Sequence, residues 1–508
     1  MWYDATVTNP DPTRARHTVA GETTDSYRWV VLGVTSIGAL LASLTSGTLV
    51  IALPDILRDL QTDLFSLLWI VVGYTLVATV LVLSAGRVAD RVGRARSYTA
   101  GFALFTIASI GCALAPNAPL LIAGRLVQGV GGAFLMANSA ALVTDAFPRR
   151  ELGRALGVNA MVVGAGLILG PILGGWLTGF GWPTVFWFNV PIGVIGTIAA
   201  ARLLVEQGAR RTGEGFDLAG SALYLVGLSG LVTALAFGGI YGWLTPWVIG
   251  GFVAFVLAGP AFIWVEWHAR DPLLDLNLFR NRLFALGNLT GLLNGVARNG
   301  VLFLLVFYLQ GVQGYDPVTA GLLLAPLAVG LLVLSPISGA LADRYGSRLL
   351  ATLGMVVTAV GLIGLTTLQP DTPYWQLALW QVIVGAGSGL FNSPNTSAVM
   401  SVVPPDRRGM GAGARMMLVQ TGFIISIALS IGLVASVVDP KTMLAIFSGT
   451  QIGAQGVDVA PFMTALHIAF GVGAVASLIG AVVSALRGPH QAFDESETEP
   501  APRRAVAA

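Results

Sequence analysis

GRVADRVGRAR, residues 86–96, places five charged residues within eleven positions of a chain in which only 11% of the residues are charged. A related stretch, GALADRYGSR, occupies residues 339–348. Each stretch follows a long apolar run, and the second comes about half a chain length after the first. This repetition decides the fold, because a chain that makes the same charged turn twice contains two equivalent halves.

The two stretches align when residues 86–93 are shifted by 253 positions, and residues 129–157 align with the second half when shifted by 256 positions. Two matches at nearly one offset predict two homologous six-helix halves, 29–204 and 283–487. Parallel six-helix repeats are the architecture of rocker-type transporters, whose substrate site lies between the halves. Among the positions of the charged turn that are identical in the two halves are four pairs: Gly86 and Gly339, Asp90 and Asp343, Arg91 and Arg344, and Gly93 and Gly346.

The composition is that of a membrane protein. Of the 508 residues, 55% are hydrophobic, and the mean hydropathy is +0.77. A net charge of only +2 argues against a nucleic-acid partner. Apolar runs of about 20 residues, enough to cross a ~30 Å hydrocarbon layer, recur along the chain. They predict fourteen helices: 29–53, 65–85, 97–115, 119–143, 152–180, 185–204, 217–238, 245–268, 283–310, 317–341, 348–368, 375–401, 409–438 and 462–487.

The arginines predict the orientation of these helices, because basic residues concentrate in cytoplasmic loops. Nearly all of the interhelical arginines fall on one side if the N-terminus is cytoplasmic. Fourteen crossings then place both termini inside a multi-pass protein of the plasma or inner membrane. Residues 1–28 and 488–508 are expected to be disordered cytoplasmic tails. The linker 205–282 contains the two helices that have no counterpart in the repeat.

Three further motifs, in chain order, are LIAGRLVQG (121–129), GLILGPILGG (166–175) and WPTVFWFNVPIG (182–193). Together with the charged turn, they resemble the motifs of the major facilitator superfamily, and specifically of its fourteen-helix drug/proton antiporter branch. The resemblance covers nearly all of 29–487. It implies an all-α polytopic membrane protein with two pseudo-symmetric six-helix bundles and two extra central transmembrane helices.

In the charged turn, Asp90 is expected to follow the end of the second helix, where its carboxylate can approach helix N-termini and arginines. The resemblance implies that this cluster, including Arg94, holds the cytoplasmic gate shut in the outward-facing state. A positive-inside retention signal is the alternative interpretation. In the fifth helix, Gly166, Gly170 and Gly174 recur every four residues and form a smooth packing stripe. Pro171 can bend that helix. The stripe can thus be interpreted in two ways: as a surface for helix packing alone, or as part of a helix that changes its conformation during transport.

Two arginines are predicted to line the transport pathway. Arg125 lies inside the fourth helix, where an arginine costs roughly 2.5–3.5 kcal/mol unless it faces a cavity or a partner. The resemblance implies that it faces the pathway and takes part in proton coupling, and we place Gln128 beside it. Arg298 stands near the middle of its predicted span and shares a helix face with Asn294, four residues earlier. The hypothesis is that both line a cavity for an anionic or carbonyl-bearing group; the alternative is a buried structural pair.

The first helix departs from the branch pattern. The branch usually carries an aspartate where this chain has Thr45, within LTSGTLVIALP (44–54). The resemblance implies proton coupling. Threonine cannot ionise, so this residue does not support that expectation. No other acidic residue falls at mid-membrane depth in the predicted spans. Glu266, at a predicted cytoplasmic helix end, is interpreted as an interfacial anchor.

The function predicted from these observations is a secondary active exporter of amphipathic or lipophilic small molecules, working by alternating access as a monomer. Its partners would be the substrate, membrane lipid and, if it is coupled, protons. An uncoupled facilitator or lipid translocator is the alternative. An integral membrane enzyme is disfavoured because the four histidines are scattered and no phosphate-binding loop is present. No cofactor and no metal are expected.

Overall fold

The computed structural model describes residues 18–19, 22–23, 25–206, 217–269, 272–404, 407–447 and 458–488. Apart from turns and connecting loops, this part of the chain is helical, with one antiparallel pair of two-residue strands, Thr18–Val19 and Glu22–Thr23. The first seven helices are α1 Asp25–Asp59, α2 Leu64–Val92, α3 Arg94–Ala113, α4 Ala118–Ala146, α5 Arg149–Thr178, α6 Pro183–Trp187 and α7 Asn189–Leu203.

The remaining helices begin after the undescribed residues 207–216. A 3₁₀ turn, Leu276–Arg280, precedes α10, and a π turn, Tyr308–Val312, continues it. The helices are α8 Leu218–Tyr241, α9 Pro246–His268, α10 Arg282–Phe307, α11 Pro317–Leu323, α12 Ala325–Tyr345, α13 Ser347–Leu365, α14 Tyr374–Ser401, α15 Arg408–Val437, α16 Pro440–Phe447 and α17 Ala460–Ala485.

Every predicted span coincides with a helix or with two consecutive helices. The spans 185–204 and 317–341 are each broken once, at Phe188 and at Leu324. In both cases a proline lies two or three residues later, Pro191 and Pro326. Because proline has no amide hydrogen, it cannot complete the hydrogen bond to the carbonyl four residues before it.

Several predicted boundaries are wrong; α1, for example, continues to Asp59 instead of 53. The first helix begins at Asp25, inside the predicted tail 1–28, and residues 1–17 and 489–508 of the tails lie outside the described residues. The second helix runs to Val92 instead of 85, so Asp90 lies in its last turn and does not follow it. The helix ends at Gly93, whose φ of +115° favours glycine and stops the helical path.

Within the described residues, eleven segments are long and apolar enough to cross a membrane. The contact pattern of the two halves is the same. In the first half α1 contacts α5, and both α2 and α3 contact α4; in the second half α10 contacts α15, and both α12 and α13 contact α14. The last helices correspond as well, since α7 contacts α3 and α1, and α17 contacts α13 and α10.

The halves meet along two seams. One seam is formed by α5 against α11 and α12, and the other by α2 against α15. The extra helix α8 packs on both α2 and α15. Ser221 of α8 hydrogen-bonds to Ser84 of α2 at 3.0 Å, and Tyr224 hydrogen-bonds to Thr421 of α15. Helix α9 packs on the outside of α8, so the two inserted helices cover the second seam.

Candidate transport pathway and gates

The predicted glycine stripe of α5 lies directly against α1. A Cβ atom on Gly170 would stand 2.9 Å from the Cα atom of Gly47, and one on Gly174 would stand 2.6 Å from the carbonyl oxygen of Thr48. A Cβ on Gly166 would overlap the hydroxyl of Ser43. Glycine is therefore required at these positions for the backbones of α1 and α5 to approach this closely.

The neighbouring face of α5 contacts the other half of the protein. A Cβ atom on Gly175 would overlap the carbonyl oxygen of Pro317 at the start of α11. A Cβ on Gly321 of α11 would likewise overlap the carbonyl oxygen of Pro171. Helix α5 continues through Pro171 to Thr178 as one element. It is thus the helix that joins tight packing within its own half to tight packing across the seam.

The charged turn joins three helices of the first half. The Nε atom of Arg94 donates to Asp90 Oδ1 at 2.9 Å, and its Nη1 atom donates to both carboxylate oxygens of Asp145 on α4 at 2.8 Å. Arg91 is exposed. Sequence reasoning missed Asp145, although its place at the end of α4, beside a charged turn, was a usable signal. The described bonds of Arg94 all stay within the first half.

The second copy of the turn is weaker. Gly346 has a φ of +82° and ends α12 as Gly93 ends α2. Arg344 is exposed, and the side chain of Asp343 lies outside the part of the chain that the structure describes. The offset of 253 places Ser347 opposite Arg94, so this copy lacks the cation that joins the first. The other two glycines of the turns have room or nearly so. A Cβ atom on Gly86 would lie 3.9 Å from the Cβ atom of Ala137, and a Cβ atom on Gly339 would lie 2.9 Å from the hydroxyl of Ser393.

Replacing Arg94 by alanine is expected to cost about 1 kcal/mol of stability, because its partly exposed ion pairs are screened by water. Asp145→Asn should cost less, since Asp90 remains bound. The thermal unfolding midpoint of the purified protein in detergent measures both effects. Arg91→Ala, which removes an exposed arginine from the same turn, is the matched control. An equal loss of stability in that control would contradict the prediction.

Arg125 lies in a fully buried network of α2, α3 and α4. It is 1% exposed, and its Nε atom donates to the carbonyl of Ile70 at 3.0 Å. Its Nη1 atom donates to Gln128 Oε1 at 2.5 Å, and the Gln128 amide donates to Ser109 at 2.8 Å. The guanidinium stands 4.6 Å from the centre of the Tyr74 ring. The structure therefore joins Arg125 to Gln128 and gives both of them protein partners.

The other predicted pathway residues contact separate helices. The Arg298 guanidinium stands 5.0 Å from the centre of the Phe423 ring of α15, and its Nε atom is buried without a hydrogen-bond partner in the described residues. The Asn294 amide lies 3.5 Å from the sulfur of Met355 on α13. Thr45 is 1% exposed, and its hydroxyl donates to the carbonyl of Leu41 at 2.8 Å. Asn294 and Arg298 thus share a helix face and have different neighbours.

Two small cavities lie near the contacts between helices. One lies between α10, α15 and α17 and has room for about one water molecule. The other lies between α2, α4 and α15 and is too narrow for a water molecule. The residues named above as pathway candidates line neither of them. The second cavity is on the seam between the halves, and its lining includes Thr79, Met136, Met416 and Gln420. In the described part of the chain, no group of three or more histidine, cysteine or acidic residues could hold a metal ion.

The segment that leads from α9 to α10 carries contacts that sequence reasoning missed. Arg87 of α2 donates to the carbonyl of Pro272, and Arg407, just before α15, forms an ion pair with Asp275. The segment is thereby attached to both halves. Glu266 differs from the interfacial anchor that the sequence predicts. It is 2% exposed, and it accepts a hydrogen bond from the Leu274 amide at 2.9 Å.

A protein-family model described as Major Facilitator Superfamily matches residues 35–222, 209–427 and 287–507. The chain belongs to this superfamily. It is a multi-pass membrane protein and a secondary transporter, and it is not an enzyme. The overlapping matches agree with the internal repeat, because the superfamily pattern fits the chain in more than one register.

The curated relatives within the superfamily include exporters. The chain is 34% identical over 388 residues to the riboflavin transporter RibZ of Clostridioides difficile, covering 76% of this chain and 83% of that one. It is 32% identical over 423 residues to the tetracenomycin C resistance and export protein of Streptomyces glaucescens, covering 82% and 78%. It is 35% identical over 357 residues to the multidrug transporter protein MdtP of Bacillus subtilis, covering 69% and 65%.

Solved structures share the superfamily fold. An auto-inhibited peptide transporter of the POT family matches with a TM-score of 0.59 at 16% identity, over 89% of this chain and 96% of that one. The human organic anion transporter MFSD10 matches with a TM-score of 0.58 at 14% identity, over 90% and 99%. At these identities the likeness concerns the fold alone.

Proposed function

We propose that the chain is a fourteen-crossing exporter of amphipathic small molecules, which works by alternating access in the manner of the drug/proton antiporter branch. The observation that carries this proposal is the double packing of α5. Its glycines lie against Gly47 and Thr48 of α1, while Gly175 and Pro171 lie against α11 of the other half. A helix with glycines at its closest approaches on both surfaces can slide or tilt at the seam while it stays attached to its own bundle.

The proposed moving bodies are the halves 29–204 and 283–487, with 205–282 adding two crossings. The repeated contact pattern of α1–α7 and α10–α17 supports this division. Fourteen crossings place both termini on the cytoplasmic side, and the arginine distribution supports that orientation. We propose the plasma or inner membrane as the location and a monomer as the working unit, because each chain contains both halves of the pathway.

The proposed cytoplasmic gate contains the charged turn. Asp90, Arg94 and Asp145 hold the ends of α2, α3 and α4 together, and Asp343 occupies the equivalent position in the second half. The ion pair of Arg407 with Asp275 extends the cluster of charges to the start of α15. Arg125, Gln128, Asn294 and Arg298 are proposed to act on the substrate or coupling pathway once the seam opens.

The substrate class follows from the charges in the membrane. Arg298 has a buried Nε atom that is unpaired among the described residues, and Thr45 stands where the branch usually has an acid. A neutral, lipid-like or anionic cargo therefore fits better than a cationic drug, which would need an embedded carboxylate. The alternative, an uncoupled facilitator or lipid translocator, is favoured by the Thr45 hydroxyl, which bonds only to its own helix at Leu41 among the described contacts.

The test is an efflux screen in proteoliposomes with an imposed pH gradient. Wild type should export neutral and anionic amphipathic probes in preference to cationic dyes of similar size. Arg298→Ala should reduce the export of anionic probes at least about tenfold. This is the effect of losing one hydrogen bond to a charged group, which is worth about 1.5–3 kcal/mol. Thr45→Asp should add export of cationic dyes. A wild-type preference for cationic dyes would refute the substrate class, and an absence of any export would refute the function.

A further inference from the structure

Two carboxyl groups face each other where α8 begins and α9 ends. Asp217 caps α8, and its Oδ1 atom accepts from the Gly220 amide at 2.7 Å. Glu266 is 2% exposed, and its Oε2 atom accepts from the Leu274 amide at 2.9 Å. The second oxygen of each group, Asp217 Oδ2 and Glu266 Oε1, is buried and has no hydrogen-bond donor in the described residues.

Gly220 brings these two unpartnered oxygens together. Asp217 Oδ2 and Glu266 Oε1 each lie 2.5 Å from the point that a Cβ atom on Gly220 would occupy, so they lie within about 5 Å of each other. Any side chain at this position would separate or displace the two carboxyl groups. Two ionised carboxylates this close and shielded from water repel each other, and one proton held between them removes the repulsion.

The surrounding charged groups do not supply the missing donor. Arg87, from α2, directs its Nη2 atom to the carbonyl of Pro272, and Arg407 pairs with Asp275. His268, at the end of α9, is exposed and its Nδ1 atom lies 2.8 Å from the carbonyl of Trp264. Among the described residues, these are the titratable and charged groups around the pair; residues 270–271 lie outside them.

We propose that Asp217 and Glu266 together bind one proton, so that the two inserted helices carry a protonation site which the first helix lacks. One carboxyl group takes up a proton from the adjacent aqueous phase and donates its new O–H to the carboxylate oxygen of the other. The site is thereby satisfied as a hydrogen-bonded pair with a single negative charge. Release of the proton leaves two opposed carboxylates and weakens the contact between the ends of α8 and α9.

This site is connected to the charged ends of both halves. Glu266 holds the Leu274 amide, and the segment that contains Leu274 also binds Arg87 of α2 and Arg407 at the start of α15. A change in the protonation of the pair thus acts on the segment that joins the two seam helices. This consequence for transport rests on the proposed function, whereas proton binding by the pair does not.

The direct test is infrared difference spectroscopy of the purified protein, titrated with acid and base without substrate. Wild type should show the C=O stretch of one protonated carboxyl group that is gained with acid and lost with base, and that band should be absent in Glu266→Gln. The glutamine keeps the acceptor for Leu274 and the shape of the side chain. Glu206→Gln, the same substitution at an exposed glutamate, should leave the band unchanged. A band that survives in Glu266→Gln would overturn the proposal.

Asp217→Asn is the second variant, and it decides the outcome if Glu266→Gln does not fold. Asparagine caps a helix as well as aspartate does, so α8 should be preserved while the band is lost or its titration moves to lower pH. An unchanged titration would overturn the proposal. In proteoliposomes that export a probe, Glu266→Gln should lose the response to an imposed pH gradient and keep downhill export. If wild type exports nothing, the proposed function fails, and the infrared result still decides the proton site.

Discussion

Replacing Gly175 by leucine is expected to open the seam between α5 and α11. A Cβ atom there would overlap the carbonyl oxygen of Pro317, which is backbone and cannot rotate away. Overpacking of this kind costs about 1–3 kcal/mol. A cost of that size, borne only by the closed seam, shifts the populations of the two states about 5- to 150-fold. Export should fall as well, because the state with the closed seam, which the transport cycle requires, is less populated.

The measurement is the labelling rate of a cysteine at Ala320 on α11, which is fully buried in this structure. The native Cys112 is first replaced by alanine, so that Ala320→Cys is the only thiol in the chain. Gly175→Leu should raise the labelling rate of this thiol. Gly111→Leu on α3 is the matched control, because a Cβ at Gly111 would meet no atom within 4 Å. Equal labelling in the two leucine variants would contradict the seam contact.

Arg125→Ala is expected to lower both stability and export, whereas Arg298→Ala should lower export with a smaller loss of stability. Removing Arg125 leaves Gln128 Oε1 without its donor in a buried site, which costs about 1–3 kcal/mol, and the Ile70 carbonyl also loses its second donor. Removing Arg298 deletes a cation whose buried Nε atom has no hydrogen-bond partner in the described part of the chain. Such a deletion should cost less than that of Arg125, because it removes the contact with the Phe423 ring and leaves no known hydrogen-bond partner unpaired among the described residues. Arg125→Lys should recover part of the stability, since lysine retains the charge without the forked geometry.

Chemical unfolding in detergent measures the stability of these variants, and efflux from proteoliposomes measures their export. The comparison separates a residue that holds helices together from one that faces the substrate. Equal destabilisation by the two alanine substitutions would show that Arg298 also holds the fold. Full export by Arg298→Ala would remove it from the pathway.

The position and order of the apolar helices could be predicted because the apolar runs and the duplicated turn are local features of the sequence. Helix ends were predicted less well where the chain stays helical beyond its apolar run, as α2 does up to Gly93. The glycine stripe of α5 was predicted as a packing surface, and its four-residue spacing was enough for that. The helix it contacts, α1, could not be read from the spacing.

The contacts that join the halves could not be predicted, because they depend on how distant segments meet. Nothing near Glu266 in the sequence indicates that the chain folds back and offers it the Leu274 amide. Asp145 is separated from Arg94 by 51 positions, and only the packing of α3 on α4 brings them together. Arg125 was recognised as buried, but its partners Ile70 and Tyr74 lie on another helix.

The position of α8 makes the protein asymmetric toward the lipid. A transporter built from two like bundles has a pair of clefts open to the bilayer, one on each flank. Here Ser221 and Tyr224 fasten α8 over the flank formed by α2 and α15, and α9 shields it further. The two inserted helices therefore lie on one flank of the protein, and its two lipid-facing sides are unlike each other.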